Sequence, residues 1–596
     1  MGRKVFISFF ITVVVLGATA ALIWWVALPL ISGLPLFGGF GANRNIVSFH
    51  EQFQLDPDVP VLIFGPNHVI GHSAPIVEET MFEPRIFIPA SLVQERIDPF
   101  VFWDERAQLF FISTHYALLE FTPGSSTFVV NGMALPLATP IRWIDDEVFL
   151  PIDLLHDLYP WIIDYNEEQN IIVITDATSR HLPAVAAIGN VSVRFWGNDR
   201  APVAAFLNEG DHLFVFAEEE SMNPHEFVRV RTMDGIPGYV SLTEILRGED
   251  GYPDPGRQPL LHDWIDNRIA APHNWPAGVR VNMVWEQVYN QQANTNNMEL
   301  ELHPSISVIS PTWFEIDESG ARLNSLVSRS YVNWAQSYGV QVWPKVFDVS
   351  NDRARRMLMS QDNRRHVINQ LIHYVDTLGL EGLNINFENL LNTTDGLYKV
   401  QFLRELAIPL RERGIVLSAA LKPPYPFNMI YQPYLIGLTV DFVQVMAYNQ
   451  HYSGSATAGP NASLPWVQWA IETMLEEVPH YRLMLGLPYW VNLWRENVIT
   501  GELRNRQVGM HFARTYFIRE HGGTEWEWLE NYGLYYGEVA IIYEGETWII
   551  RIWLECESSI RAKMQLFAAY QLAGVAGWSR GLESPGVWDV LERFFM

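Results

Sequence analysis

Over the second half of the chain, eight short apolar runs alternate with amphipathic stretches. The runs are residues 279–285, 306–309, 340–343, 383–387, 415–420, 442–447, 483–487 and 575–578. Between them, residues 323–338, 364–378, 397–411 and 560–572 read as helices, the last three with apolar side chains three or four positions apart. Runs this short read as strands covered on both faces, and their alternation with helices predicts a (β/α)8 TIM barrel over residues 279–596. One run departs from the apolar pattern. In Leu383-Asn384-Ile385-Asn386-Phe387-Glu388 successive side chains alternate faces, so Asn384, Asn386 and Glu388 share one and Leu383, Ile385 and Phe387 the other. Glu388 closes the fourth strand, at the end where catalytic groups of such barrels sit. Taken alone, the strand equally fits a structural Glu in a buried ion pair.

The first half of the chain reads differently. No charged residue occurs from Val5 to Asn43, and the helical part, residues 5–28, would reach about 36 Å, enough to span a bilayer. Arg3 and Lys4 precede it, so residues 1–45 read as an N-terminal transmembrane helix that places the rest of the chain outside the cell membrane. A signal peptide cleaved near Ala18-Thr19-Ala20 is the rival reading. Residues 58–177 hold an internal repeat: Ile86-Phe87-Ile88-Pro89 returns as Val148-Phe149-Leu150-Pro151, and residues 103–112 return as 165–174. Each copy predicts strand, short helix and hairpin, together an α+β repeat domain. The pattern resembles copper amine oxidase N-terminal-like domains, without residues suited to copper. Brief alternations over residues 186–246, ending in Gly235-Ile236-Pro237-Gly238-Tyr239-Val240, predict a small β-barrel that resembles the bacterial SH3-like fold. Residues 247–278 read as a linker.

Charge and cysteine content narrow the function. A net charge of −27 argues against binding to nucleic-acid phosphates or anionic headgroups. A single cysteine, Cys556, excludes an intrachain disulfide framework, and the scattered His303, His366 and His451 do not form a metal-ligand spacing, so no metal is expected. Twenty-two tryptophans suit sugar-binding clefts as well as cores.

The fourth-strand line Glu381-Gly382-Leu383-Asn384-Ile385-Asn386-Phe387-Glu388 resembles glycoside hydrolase family 18, whose strand reads Asp-Gly-x-Asp-x-Asp-x-Glu. Its Phe-Glu-Asn ending is similar to a bacterial branch of spore-cortex and peptidoglycan N-acetylglucosaminidases. Three more stretches match in order: Ser310-Pro311-Thr312-Trp313-Phe314, Gln444-Val445-Met446-Ala447-Tyr448-Asn449-Gln450-His451, and Gly574-Val575-Ala576-Gly577-Trp578. The resemblance implies cofactor-free hydrolysis of a polysaccharide containing N-acetylglucosamine, peptidoglycan or a chitin-like polymer, by substrate-assisted retention. Carried over, Glu388 is the general acid and base, Asn386 orients the substrate acetamide, and Tyr448 with Asn449 holds its oxygen. Trp578 becomes the apolar floor, and Asn384, Gln444, Met446 and Trp313 complete the sugar-binding set. Asn386 stands where the family pattern has Asp. An amide cannot neutralise a cationic intermediate, and loss of such a term costs about 100- to 1000-fold in rate. Family 85 endo-N-acetylglucosaminidases nevertheless use Asn there. A glycan-binding protein with little turnover is therefore the alternative to a hydrolase.

Several further residues are weighed on position alone. Asp348 and Glu315 follow strands three and two and are candidate cleft residues. Asp441 reads as a structural strand-end residue, and Glu555 and Glu557 as first-turn helix acids. Tyr425, Tyr489, Trp490 and Trp494 read as loop aromatics, for subsites or loop cores.

Overall fold

The computed structural model describes residues 46–595 apart from 65–67, 71–74, 81–83, 177–180, 217–226, 248–273, 426–428 and 523–525. The apolar stretch at residues 5–28 lies outside the described residues. Among those described, no helix is long and apolar enough to cross a membrane. The chain divides into two compact units, residues 1–72 with 162–256, and 73–161 with 257–596.

In the first unit Val61–Phe64 pairs in parallel with Ile171–Asp176 and antiparallel with His68–Ile70. Residues 181–247 form one antiparallel seven-stranded sheet, from Val203–Leu207 at one edge to Ile245–Arg247 at the other. Val191, Val193, Val215, Val230 and Val240 make its buried face.

In the second unit the internal repeat is a structural one. Arg85–Pro89 and Glu147–Pro151 pair with each other, Ile88 opposite Leu150, and each leads into a seven-residue helix, Ala90–Arg96 or Ile152–Leu158. The hairpin that follows differs between copies. Phe102–Asp104 and Leu109–Ser113 extend into a five-stranded meander ending at Met133–Pro136. The matching hairpin of the second copy, from Ile162 onward, belongs to the other compact unit. Asp104 and Asn166, equivalent in the repeat, play the same local part: each side-chain oxygen accepts a backbone N–H two or three residues on and so closes the hairpin turn.

The barrel strands are β1 (Val281–Glu286), β2 (Val308–Pro311), β3 (Gln341–Val342, resumed as Lys345–Phe347), β4 (Gly382–Asn386), β5 (Val416–Leu421), β6 (Phe442–Val445), β7 (Leu483–Pro488) and β8 (Gly574–Trp578). All pairings around the ring are parallel, and β8 closes it by pairing with both β7 and β1. Strand β3 breaks at Pro344, whose missing N–H cannot enter the ladder. Among the described residues ten α-helices accompany the strands: α1 (Gln291–Met298), α2 (Arg329–Ser337), α3 (Asn351–Leu358), α4 (Gln361–Leu378), α5 (Thr393–Glu412), α6 (Pro433–Thr439), α7 (Leu464–Leu475), α8 (Met510–His521), α9 (Glu557–Ala569) and α10 (Gly586–Phe595). The Ser360 side chain caps α4 on Asn363 N–H, and Gly379, at φ 69°, supplies the left-handed stop.

The helix expected over residues 323–338 is shorter. Leu323–Ser325 is a strand paired with Phe314–Ile316, and α2 begins only after Ser328, whose side chain accepts Tyr331 N–H. The predicted linker also ends earlier, since Asn274 N–H donates to Asp441 at 2.7 Å and Trp275 packs edge-on against Trp343 and Phe442. Between β7 and β8 the chain leaves the barrel to build an antiparallel five-stranded sheet, from Trp490–Asn497 to Glu546–Leu554, which the alternating apolar runs did not announce.

The meander packs on the outer face of α4 and α5. Arg364 of α4, fully buried, reaches Asp104 at 3.1 Å and Glu405 at 3.0 Å, and the Tyr398 hydroxyl donates to Asp104 at 3.0 Å. Arg404 donates to Ser113 and lies 4.0 Å over the Phe100 ring. Phe100, Phe102 and Phe111 are continuous with the barrel core. This part of the repeat is structurally part of the barrel unit.

Candidate active site

The polar face of β4 divides into two layers. Asn384 lies deeper, wholly buried. Its Oδ1 accepts from Trp285 Nε1 at 2.9 Å, and its Nδ2 donates to Ser418 Oγ at 2.9 Å and Gln444 Oε1 at 2.8 Å. Asn384 and Gln444 thus join β1, β4, β5 and β6 beneath the cleft, and the polar groups that a barrel interior would penalise are paired with one another.

One turn of the strand pattern higher, Asn386 Nδ2 donates to Glu388 Oε1 at 2.9 Å, while Asn386 Oδ1 is buried with no hydrogen-bond partner among the described residues. The Glu388 backbone is fixed from three sides: its N–H donates to Asp348 Oδ1 at 3.1 Å, and its carbonyl accepts from Lys422 Nζ at 3.2 Å and from the Tyr431 hydroxyl. Burial raises the Asp348 carboxyl above its ordinary range. Lys422 Nζ also stands 3.8 Å from Glu388 Oε2.

Glu388 opens into a cleft of about 950 Å³ that Met446, Tyr448, Asn449, Trp490 and Trp578 also line. Tyr448 packs edge-on against Trp490, with ring centroids 4.8 Å apart. Burial first, and the charge of Glu388 second, push its phenol well above the usual value, so the hydroxyl stays a donor across the working pH range. Gly486 makes room for it, because a Cβ there would meet the Val445 carbonyl at 2.5 Å and the Tyr448 ring at 3.2 Å. Asn449 adopts a left-handed φ of 65°, tolerable for Asn, and its N–H donates to Asn461 at 3.0 Å. Trp578 lies between this cleft and a second one of about 640 Å³ on the β2 side.

Trp313 faces that second cleft but is 1% exposed, with its indole N–H bound to Asn294 at 2.8 Å, so it forms wall rather than open surface. Glu315 lines the same cleft and is ion-paired with Arg353. Asp441 accepts Asn274 and Leu417 N–H groups, a structural part. The four aromatics separate: Tyr425 and Trp490 line the main cleft, whereas Tyr489 and Trp494 are core side chains. Glu555 is not a first-turn acid but a buried partner of Lys563 at 2.8 Å. Lys345, Lys422, Gln287 and Trp466 also line the cleft and escaped the sequence reading, Lys345 because it falls just past the run at 340–343. Among the described residues His303, Asp589 and Glu592 bring ligand-type atoms together, outside the residues that line either cleft.

Two buried lysines next to the acid affect stability. Lys345 and Lys399 both fall from 10.5 to about 8, burial outweighing the attraction of Glu388 and Asp348. Between about pH 8 and 10 the unfolded chain holds more protons on them than the fold does, so stability rises with pH there; below that window the full cost of burying both ammoniums is present. In Lys399→Met the gain in urea midpoint from pH 7.5 to 9.5 is expected to shrink by about half, measured by tryptophan fluorescence.

Residues 348–583 match the family described as Glycosyl hydrolases family 18. That stretch is similar to family 18 glycosyl hydrolases. The match begins at Asp348 and includes Asn386, Glu388, Tyr448 and Trp578. Residues 70–174 match the copper amine oxidase N-terminal domain. Among the described residues of that stretch no three His, Cys, Asp or Glu side chains bring ligand atoms together. The chain is 26% identical over 258 residues to the sporulation-specific glycosylase candidate YdhD of Bacillus subtilis (strain 168), covering 41% of this chain and 58% of that protein. It is 20% identical over 316 residues to the uncharacterized glycosylase YvbX of the same organism, covering 50% and 87%. The chain is also similar to the crystal structure of the Bacillus megaterium QM B1551 spore cortex-lytic enzyme SleL, with 18% identity, a TM-score of 0.46, and 54% and 76% of the two chains covered.

Proposed function

We propose that the family 18 domain hydrolyses β-1,4 bonds that follow N-acetylglucosamine, with peptidoglycan the preferred polymer and chitin-like glycans second, by substrate-assisted retention. The observation that carries this reading is the Asn386–Glu388 pair. Asn386 donates to the acid at 2.9 Å and keeps a buried oxygen unpartnered, an acceptor ready for an acetamide N–H. Glu388 gives its proton to the glycosidic oxygen as the C1–O bond breaks and the acetamide oxygen bonds to C1. Glu388 then takes a proton from the water that opens this ring at C1. The Tyr448 hydroxyl steadies the acetamide oxygen, and the Trp578 face packs on sugar C–H groups.

A second reading, a wall-glycan receptor with little turnover, is favoured by the neutral amide of Asn386. Mass analysis of products from peptidoglycan and N-acetylglucosamine oligomers, with the full chain beside Glu388→Gln, decides between them. New reducing ends made only by the Glu388 protein establish the hydrolase; sugar binding without products establishes the receptor. In Asn386→Asp a second carboxylate beside Glu388 disfavours joint ionisation, so the pH–rate profile should move its optimum upward; an unchanged profile contradicts the assigned pairing.

The remaining parts fit an extracytoplasmic, membrane-anchored enzyme. Residues 5–28 supply the anchor, and the sheet of residues 181–247 is read as the SH3-like module that contacts wall. Membrane-fraction recovery of the full chain, lost on deletion of residues 1–45, tests the anchor.

A further inference from the structure

Lys345 is a charge in the cleft that the proposed reaction leaves unused. It opens the second piece of β3, is 6% exposed, and lines both the main cleft and the one on the β2 side. Among the described residues no acceptor lies within hydrogen-bond distance of its ammonium, which rests 4.3 Å from the Trp578 ring centroid and 5.9 Å from that of Phe347. A buried ammonium without an acceptor is unfavourable, and ring faces recover only part of the loss. The nearby acids are committed elsewhere. Glu388 is bonded to Asn386 and flanked by Lys422, Asp348 holds the Glu388 N–H, and Glu315 pairs with Arg353. In a chain of net charge −27, this cleft presents two lysines, Lys345 and Lys422, against Glu388.

We infer that Lys345 binds the carboxylate of an anionic sugar next to the one packed on Trp578, so the substrate is an N-acetylhexosamine polymer that carries carboxylates. This rests on the hydrolase reading and narrows it. The lactyl ether of peptidoglycan supplies such a group wherever no stem peptide is amide-linked to it, and a chitin-like polymer does not. A seated carboxylate also neutralises the ammonium, which otherwise faces the positive charge that develops at C1 and that Asn386 cannot offset. Lys345 thereby becomes a specificity residue, and the cleft disfavours neutral polymers by leaving its ammonium unpaired.

Calorimetry on the full chain carrying Glu388→Gln, which separates binding from turnover, tests this. The probes are peptidoglycan glycan fragments with free lactyl carboxylates and the same fragments converted to methyl amides. The carboxylate form should bind about 10- to 100-fold tighter. Adding Lys345→Met should collapse that preference, and Lys345→Arg should keep it. Equal binding of the two fragments, or a preference that survives Lys345→Met, overturns the inference. The fragment comparison with Lys345 intact needs no further variant, so a misfolded Lys345→Met does not blunt it. Cleavage of neutral oligomers by the unaltered chain with no carboxylate preference overturns this inference alone. No binding of any N-acetylglucosamine glycan overturns the hydrolase reading with it.

Discussion

Asp104→Ala is expected to destabilise the barrel unit by about 3–5 kcal/mol, although Asp104 lies more than 200 residues before the acid. Arg364 is fully buried and shares its guanidinium between Asp104 and Glu405. Removing Asp104 leaves one arm of a buried cation and the Tyr398 hydroxyl without their acceptor, which costs far more than a surface ion pair is worth. The same geometry predicts that residues 270–596 alone lack a cooperative transition. That fragment would uncover the surface under Phe100, Phe102 and Phe111 and strip partners from Arg364 and Arg404. Urea unfolding of both proteins checks this. Midpoints equal to that of the full chain would show that the meander contributes nothing.

Glu388→Gln is expected to lower kcat by about 100- to 10,000-fold while sugar binding persists. Glutamine keeps the shape and can still meet Asn386, but it has no proton to give the leaving oxygen and cannot accept one from water. The surroundings of residue 388 stay intact, because the bonds from Asp348, Lys422 and Tyr431 go to its backbone. A parallel loss of kcat and kcat/KM reports a group used only in the transition state; a rise in KM alone would make Glu388 a ground-state binding group.

The barrel was legible because its signal is local. Each strand is a short apolar run and each helix a spaced stripe, and the repeat at 86–89 and 148–151 marked two strands that pair with each other. Asn386, Glu388, Tyr448 and Trp578 came from motif order; the fold brings Glu388, Tyr448 and Trp578 to one cleft and hydrogen-bonds Asn386 to Glu388. What escaped depends on distant pairing. Nothing in the spacing of Asp104 and Arg364 announces that they meet, and Lys345 reads as an ordinary cation until the ring places its ammonium over Trp578. The excursion over residues 490–554 was missed for another reason. From Thr547 to Leu554 half-buried and buried positions alternate, a period-two strand signal, but this stretch lies between two barrel strands, ahead of the helix expected over residues 560–572, where a loop was read.

The most direct test of substrate-assisted hydrolysis at this cleft is the configuration of the first product, followed by proton NMR as the full chain cleaves an N-acetylglucosamine-containing glycan. Attack by the substrate's acetamide and then by water inverts C1 twice, so the new reducing end should appear as the β anomer before it mutarotates. Initial release of the α anomer, or no new reducing end at all, would contradict the roles assigned to Asn386 and Glu388.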